Sequence, residues 1–209
     1  MGTNHNKIWS INDKEECIKM INNTGGWLLH HFNKNLISDR DVVEAAVKSW
    51  PFAIKLASKP FRNDKDLLVM AITLEAETLK FASKKLKNDK SLVMIAVRRD
   101  GNCLQYASLT QRNCPEVVLE ATHNKPSAYM HVGEDLKNDR QFTLQICEQF
   151  PKTYAYFYLI WKMDEEINYQ LIDTEPNLWN LVPACFRITY NDDCNQFLDV
   201  MRSKNIKGT

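Results

Sequence analysis

The chain has 209 residues, 44% of them hydrophobic and 25% charged, an ordinary balance for a soluble globular protein. Its net charge of +1 gives no overall pull toward nucleic acid or membrane, and no apolar run approaches the roughly 20 residues that span a bilayer. The charge is unevenly spread, however: residues 1–104 carry 17 Lys/Arg against 12 Asp/Glu, and residues 105–209 carry 10 against 14. The six cysteines include no CxxC pair, so their spacing supports neither a zinc site nor a disulfide framework. Reduced thiols in small buried slots are expected, and with them an intracellular, cytoplasmic protein. The opening residues Met1–Asn6 lack the basic and apolar segments of a signal peptide, and Asn6 stands where a myristoylation motif wants Ser or Thr.

Helix-start signals recur along the chain. Asp13 is the first; Asp39, Asp64, Asp89, Cys114, Asp139 and Asp164 follow at 25-residue spacing, and Asp193 closes the series. A fixed period of this size marks a repeat array, in which each unit borrows stability from its neighbours. With each of these positions taken as offset zero, the Asp caps a helix by accepting from its first free N–H groups. Cys114 departs from this, but Pro115 has the right φ for a first helical position.

The first unit, from Asp13, carries Glu16 and Cys17 at positions that are apolar elsewhere, a stop at Gly25 (offset +12), Leu28 at +15, and His30 and His31 in its second helix, as a capping unit should. The next three units have a clear helical stripe at +3, +4, +7 and +8: Val42, Val43, Ala46 and Val47, then Leu67, Leu68, Ala71 and Ile72, then Leu92, Val93, Ala96 and Val97. In the middle units +5 and +6 are apolar too (Val69, Met70; Met94, Ile95), which places the first helix of each unit inside the stack. Offset +12 ends that helix with Pro51, Gly101, Pro126, Pro151 or Pro176, Ala76 being the exception, and a second short helix follows. Offset +18 is small in Ala57, Ala82 and Ala107 and then widens to Val132, Phe157 and Val182. The last unit has a first helix only, with Phe197, Val200 and Met201 on one face, and ends at Gly208-Thr209. The expected fold is all-α: an α-solenoid of about eight 25-residue helical-hairpin repeats, one domain over 1–209 with a capping unit at 1–36, core units over 37–186 and a C-terminal cap helix over 187–209.

Residues 87–111 read KNDKSLVMIAVRRDGNCLQYASLTQ, with RNDKDLLVMAI at 62–72 and LKFASKKLKND at 79–89. These segments resemble the DUF4116 repeat family, whose pattern is close to L-K/R-N-D-K/R-E-V-V-L-A-A-V-x-x-N-G-x-A-L-Q-Y-A-S. The resemblance is strong over about 37–141, and beyond 150 only the period persists, with Tyr154 to Phe157 and Trp179 to Val182 standing where LQYAS would be. It implies tandem helical hairpins and supplies no catalytic residue.

Candidate binding groups fall at fixed offsets. Arg62, Lys87, Arg112, Lys137 and Lys162 occupy −2, just outside the helices, and Arg40, Lys65, Lys90 and Arg140 occupy +1. Such cations form a line up one edge that could track phosphates or an acidic protein segment, but the capping aspartates beside them leave the edge nearly neutral. Asn63, Asn88, Asn113 and Asn138 at −1 are expected to bond to their own turn backbone rather than to form a peptide-binding ladder. The five histidines and six cysteines show no converging ligand set and no marked nucleophile; His131, at +17, reads as a packed residue. Aromatic residues crowd 150–190, and Tyr158 at +19 replaces Ser58, Ser83 and Ser108, which marks this half for partner binding or self-association.

The expected function is a non-enzymatic interaction module, of adaptor or effector type, that binds a protein partner and needs no cofactor or metal. Binding of nucleic acid or polyphosphate along the basic edge is the alternative. An enzyme with a cryptic site on the concave face ranks last, since no acid–base constellation or phosphate loop is present.

Overall fold

The computed structural model describes residues 13–190 and 192–206; the readings made of Met1–Asn6 and of Gly208-Thr209 fall outside them. The chain is an all-α repeat solenoid. Among the described residues its eight longer helices are α1 (Lys14–Thr24), α2 (Arg40–Ser49), α3 (Lys65–Leu74), α4 (Lys90–Arg99), α5 (Pro115–Asn124), α6 (Arg140–Gln149), α7 (Glu165–Thr174) and α8 (Cys194–Ile206). Each starts where the sequence places a cap. The Asp39 carboxylate accepts from the amides of Asp41 and Val42, Asp64 from that of Leu67, Asp89 from that of Leu92, and Asp139 from that of Phe142. Cys114 makes no such bond, and α5 begins on Pro115.

The rest of each unit is not one helix. An extended residue at offset +11 (Trp50, Glu75, Asp100, Lys125) ends the long helix. A 3-10 helix follows, as in Ala76–Phe81, Gly101–Tyr106 and Pro126–His131. A one-turn segment then closes the unit, as in Lys84–Lys87, Leu109–Arg112, Glu134–Lys137 and Leu159–Lys162. The 3-10 turn opens on offset +12, which explains why Ala76 serves where other units have Pro or Gly: the position is the first of a new helix, not the stop of the old one. In the first unit the extra residue lies within α1. There Gly25, at φ 121, takes the extended role of Trp50, a conformation that glycine adopts freely. Gly26 then opens the turn, and a β-carbon on it would sit 2.0 Å from the Ala46 carbonyl oxygen.

Long helices pack beside long helices and 3-10 helices beside 3-10 helices, with the apolar seam between the two layers. Val42, Leu67, Leu92, Val117 and Phe142 are all buried in that seam. The long helices are not enclosed on all sides, however. Val69, Met70, Met94 and Ile95 are only half-buried, because each helix has neighbours at its flanks and a 3-10 layer beneath it while its outer face stays open. Backbone bonds stitch the one-turn edge: the amides of Ser83, Ser108 and Gly133 donate to the carbonyls of Arg62, Lys87 and Arg112 at 2.7, 2.9 and 2.9 Å. Farther on the Trp161 indole takes over this role, donating to the Lys137 carbonyl at 2.6 Å. The larger +18 residues fill a wider gap, with the Phe157 ring 4.9 Å from Tyr129 and 5.6 Å from Tyr154. At this widening α5 and α6 approach each other least closely of all neighbouring long helices.

Candidate functional site

The cations at +1 build a ladder between units. Lys65 donates to Asp89 and Ser91, each at 2.7 Å, and Arg140 reaches Asp164 at 2.8 Å and Glu166 at 2.6 Å. Arg40 pairs with Asp64, Lys90 with Glu116, and Lys14 with Asp39 and Asp41. Each rung joins the start of one long helix to the cap or first turn of the next. One rung is missing: Pro115 holds the +1 place in α5, so Asp139 meets no cation among the described residues.

These pairs hold the caps ionised. Hydrogen bonds from Lys65 and Ser91 lower the Asp89 carboxyl to about 2, outweighing its burial. At Asp64 burial works against ionisation, but the Leu67 amide and Arg40 overcome it and the carboxyl stays below its ordinary value. A carboxylate depressed on folding contributes stability that is complete above its unfolded value near 4 and is lost as pH falls through the folded one. Stability should therefore drop as pH falls from about 4 to about 2. Asp89→Ala should lose about 1 kcal/mol at neutral pH and show a shallower acid decline, both measurable by urea unfolding.

The −2 cations do not form an exposed line. Arg62, Lys87, Arg112, Lys137 and Lys162 lie within the one-turn segments rather than outside the helices, and none is exposed. Arg112 Nε donates to the His131 carbonyl at 2.5 Å, Lys137 Nζ to the Met130 carbonyl at 3.0 Å, and Lys162 Nζ to the Ala155 carbonyl at 3.1 Å. They cap the last carbonyls of 3-10 helices, where positive charge is favoured. Lys137 and Lys162 also lie over the rings of Tyr158 and Tyr154, at 5.2 and 5.6 Å. Burial lowers the pKa of Lys87. Tyr158 itself is partly exposed and gives its hydroxyl to both oxygens of Glu134, at 2.9 and 2.8 Å.

Asn63, Asn88 and Asn113 at −1 bond between units, where bonds to their own turn were expected. Asn63 Oδ1 accepts from Ser83 at 2.7 Å and Asn88 Oδ1 from Ser108 at 2.6 Å. At the next boundary glycine replaces serine. There Asn113 Nδ2 donates to Asp135, and its Oδ1 is buried with no partner. Gly133 has φ −70, open to any L-residue. Gly133→Ser should therefore stabilise the chain by about 0.5–1 kcal/mol through the restored bond and a less free unfolded chain. Its β-carbon requires the Asn113 side chain to turn aside, so that Oδ1 accepts from the new hydroxyl as Asn63 and Asn88 do from Ser83 and Ser108. A lower melting temperature would contradict this.

Nothing among the described residues groups three or more His, Cys, Asp or Glu into a metal site. Burial pushes the thiols of Cys103 and Cys147 up to about 12, far from the thiolate form that a nucleophile needs. An open cleft of about 560 Å³ between α7 and α8 holds Arg140, Glu165, Glu166 and Lys204, but these charges pair with one another, Lys204 to Glu165 at 2.7 Å.

The sequence reading did not single out the aliphatic residues of the C-terminal one-turn segments. Leu159 is 71% exposed, Ile160 66%, Met163 48% and Ile188 75%. They stand where earlier units carry Lys84, Lys85 and Asn88, so the signal lay in offsets +20, +21 and −1. Cys185 Sγ lies 3.8 Å from Met163 Sδ, which joins the last two segments into one patch. The aromatic crowding is mostly interior: Tyr154 and Phe157 are buried and Trp161 is half-buried.

No curated protein and no solved structure matches the chain. The family described as "Domain of unknown function (DUF4116)" matches over residues 13–62, 39–79, 64–110 and 114–164, so the likeness extends through the capping unit and past residue 150. With tandem matches over most of its length and a capped unit repeating in the fold, the chain belongs to the DUF4116 family.

Proposed function

We propose that this chain is a non-enzymatic helical-repeat module that binds a protein partner through the aliphatic patch of its C-terminal one-turn segments. The observation that carries this reading is the exposure of Leu159, Ile160, Met163 and Ile188 together on one edge. Apolar side chains gathered on a surface are costly in water and mark contact sites. A repeat fold with its core fully occupied can vary such edge residues without losing register. Phosphate binding along the −2 cations is less well supported, since three of them are engaged by backbone carbonyls.

The test compares wild type with Leu159→Glu/Ile160→Glu/Ile188→Glu, using cross-linking in the source cell and quantitative recovery of bound chains. The triple variant should keep its helical circular dichroism and lose its cross-linked protein. Retention of the same protein by the variant would refute the patch. Tight binding of wild type to DNA or RNA at physiological salt would favour the alternative reading.

A further inference from the structure

We infer that the edge built by the one-turn segments pairs with the same edge of a second copy, antiparallel, about a two-fold axis at Leu109. This rests on the edge being a contact surface, as proposed above, and names the partner.

Successive one-turn segments are neighbours along this edge, as the bonds from Tyr158 to Glu134 and from Trp161 to Lys137 show. Offsets +20 and +21 face outward in each of them, and their chemistry changes along the edge. Lys84 and Lys85 are exposed and ion-paired to none of the described residues. One 25-residue period later Leu109 is 62% exposed, the largest exposure of any apolar residue in the central units. One further period brings Glu134 and Asp135, both exposed, their carboxylates accepting from the neutral donors Tyr158 and Asn113.

Leu109 thus stands midway between a basic pair and an acidic pair at equal spacing. In an isologous contact, a residue ahead of the axis meets its counterpart behind it. With the axis at Leu109, Lys84 and Lys85 of each copy face Glu134 and Asp135 of the other, twice over, and the two leucines meet at the centre. The same operation carries Lys59-Pro60 onto Leu159-Ile160, where the proline ring and the lysine stem cover aliphatic surface. The overall charge agrees: residues 1–104 carry a net +5 and residues 105–209 a net −4, so antiparallel copies place opposite halves side by side. The +1 cations are all ion-paired within their own chain, whereas among the described residues Lys84 and Lys85 are not.

Sedimentation of the full chain tests this. Wild type should sediment as a dimer that weakens with added salt. Lys84→Glu/Lys85→Glu and Glu134→Lys/Asp135→Lys should each weaken it at least about tenfold, and the two pairs combined should restore it. Independently, Leu109→Cys in a Cys185→Ser background should oxidise to a covalent dimer joined at position 109. Monomeric wild type would overturn the inference and leave a different protein as the partner of the patch. A dimer that ignores the charge reversals but falls apart in the Leu159/Ile160/Ile188 variant would also overturn it, while sparing the proposed function. Loss of both the dimer and every cross-linked protein only in misfolded variants would refute both.

Discussion

Ala96→Asp is expected to break the array at its centre. Ala96 is fully buried at offset +7 of α4, in the seam between the long helices and the 3-10 layer. The surrounding positions Leu92, Val93 and Val97 are fully buried and apolar, so an introduced carboxylate finds no cation and no donor there. Such a group costs about 3–5 kcal/mol when left unpaired, and it relieves part of that cost by taking up a proton. Urea unfolding at neutral pH should show the full loss, and the gap from wild type should narrow as pH falls. Since each unit is stable only through its neighbours, the damage should release the units on both sides of α4 rather than fray one terminus. Hydrogen exchange resolves the two cases. An unchanged urea midpoint would contradict the burial of this position.

Phe157→Ala should cost about 3–5 kcal/mol, although alanine is the ordinary residue at this offset. Ala57, Ala82 and Ala107 fill the slot in units whose neighbours lie close. At Phe157 the slot is wider, and the ring packs between Tyr129 and Tyr154. Truncation leaves a cavity that these two rings cannot close, because their own positions are fixed by burial and by the Tyr154 hydroxyl bond to Asn168 at 2.5 Å. Thermal unfolding followed by tyrosine fluorescence should show the C-terminal units melting first. A variant as stable as wild type would mean that the units close up as they do around Ala107.

The fold was legible where a physical rule repeats. Capping aspartates, the +3/+4/+7/+8 stripe and the 25-residue period each recur enough times to place the long helices. Segments such as Leu109–Arg112 and Gly101–Tyr106 are too short for periodicity to act on, so one helix was expected where a 3-10 turn and a single α-turn occur. Val69 and Ile95 were read as enclosed because an apolar residue and a flanked residue look alike in one dimension. The fates of Arg112 and Lys137 depend on which carbonyl a long side chain can reach, which spacing does not encode. The serines at +19 were visible, but their bonds to Asn63 and Asn88 cross 20 residues and appear only once units stack. Aromatic crowding drew attention to Tyr158, while the neighbouring Leu159 and Ile160 carry more of the exposed surface.

The wide spacing of α5 and α6, with Pro115 in place of a cation and Asp139 unanswered, gives the molecule a mechanical character. A uniform ladder bends as a stiff rod, sharing strain among all its rungs. Here the rod has a softer joint about two thirds of the way along, where side chains such as Phe142, Phe157 and Tyr129 fill the space between the units and the bonds of Tyr158 to Glu134 and Trp161 to Lys137 hold the one-turn edge. Apolar contacts slide without breaking discrete bonds, so bending is expected to open the long-helix side of this joint about its hydrogen-bonded one-turn edge. The angle between the blocks on either side is then the expected soft coordinate of the solenoid.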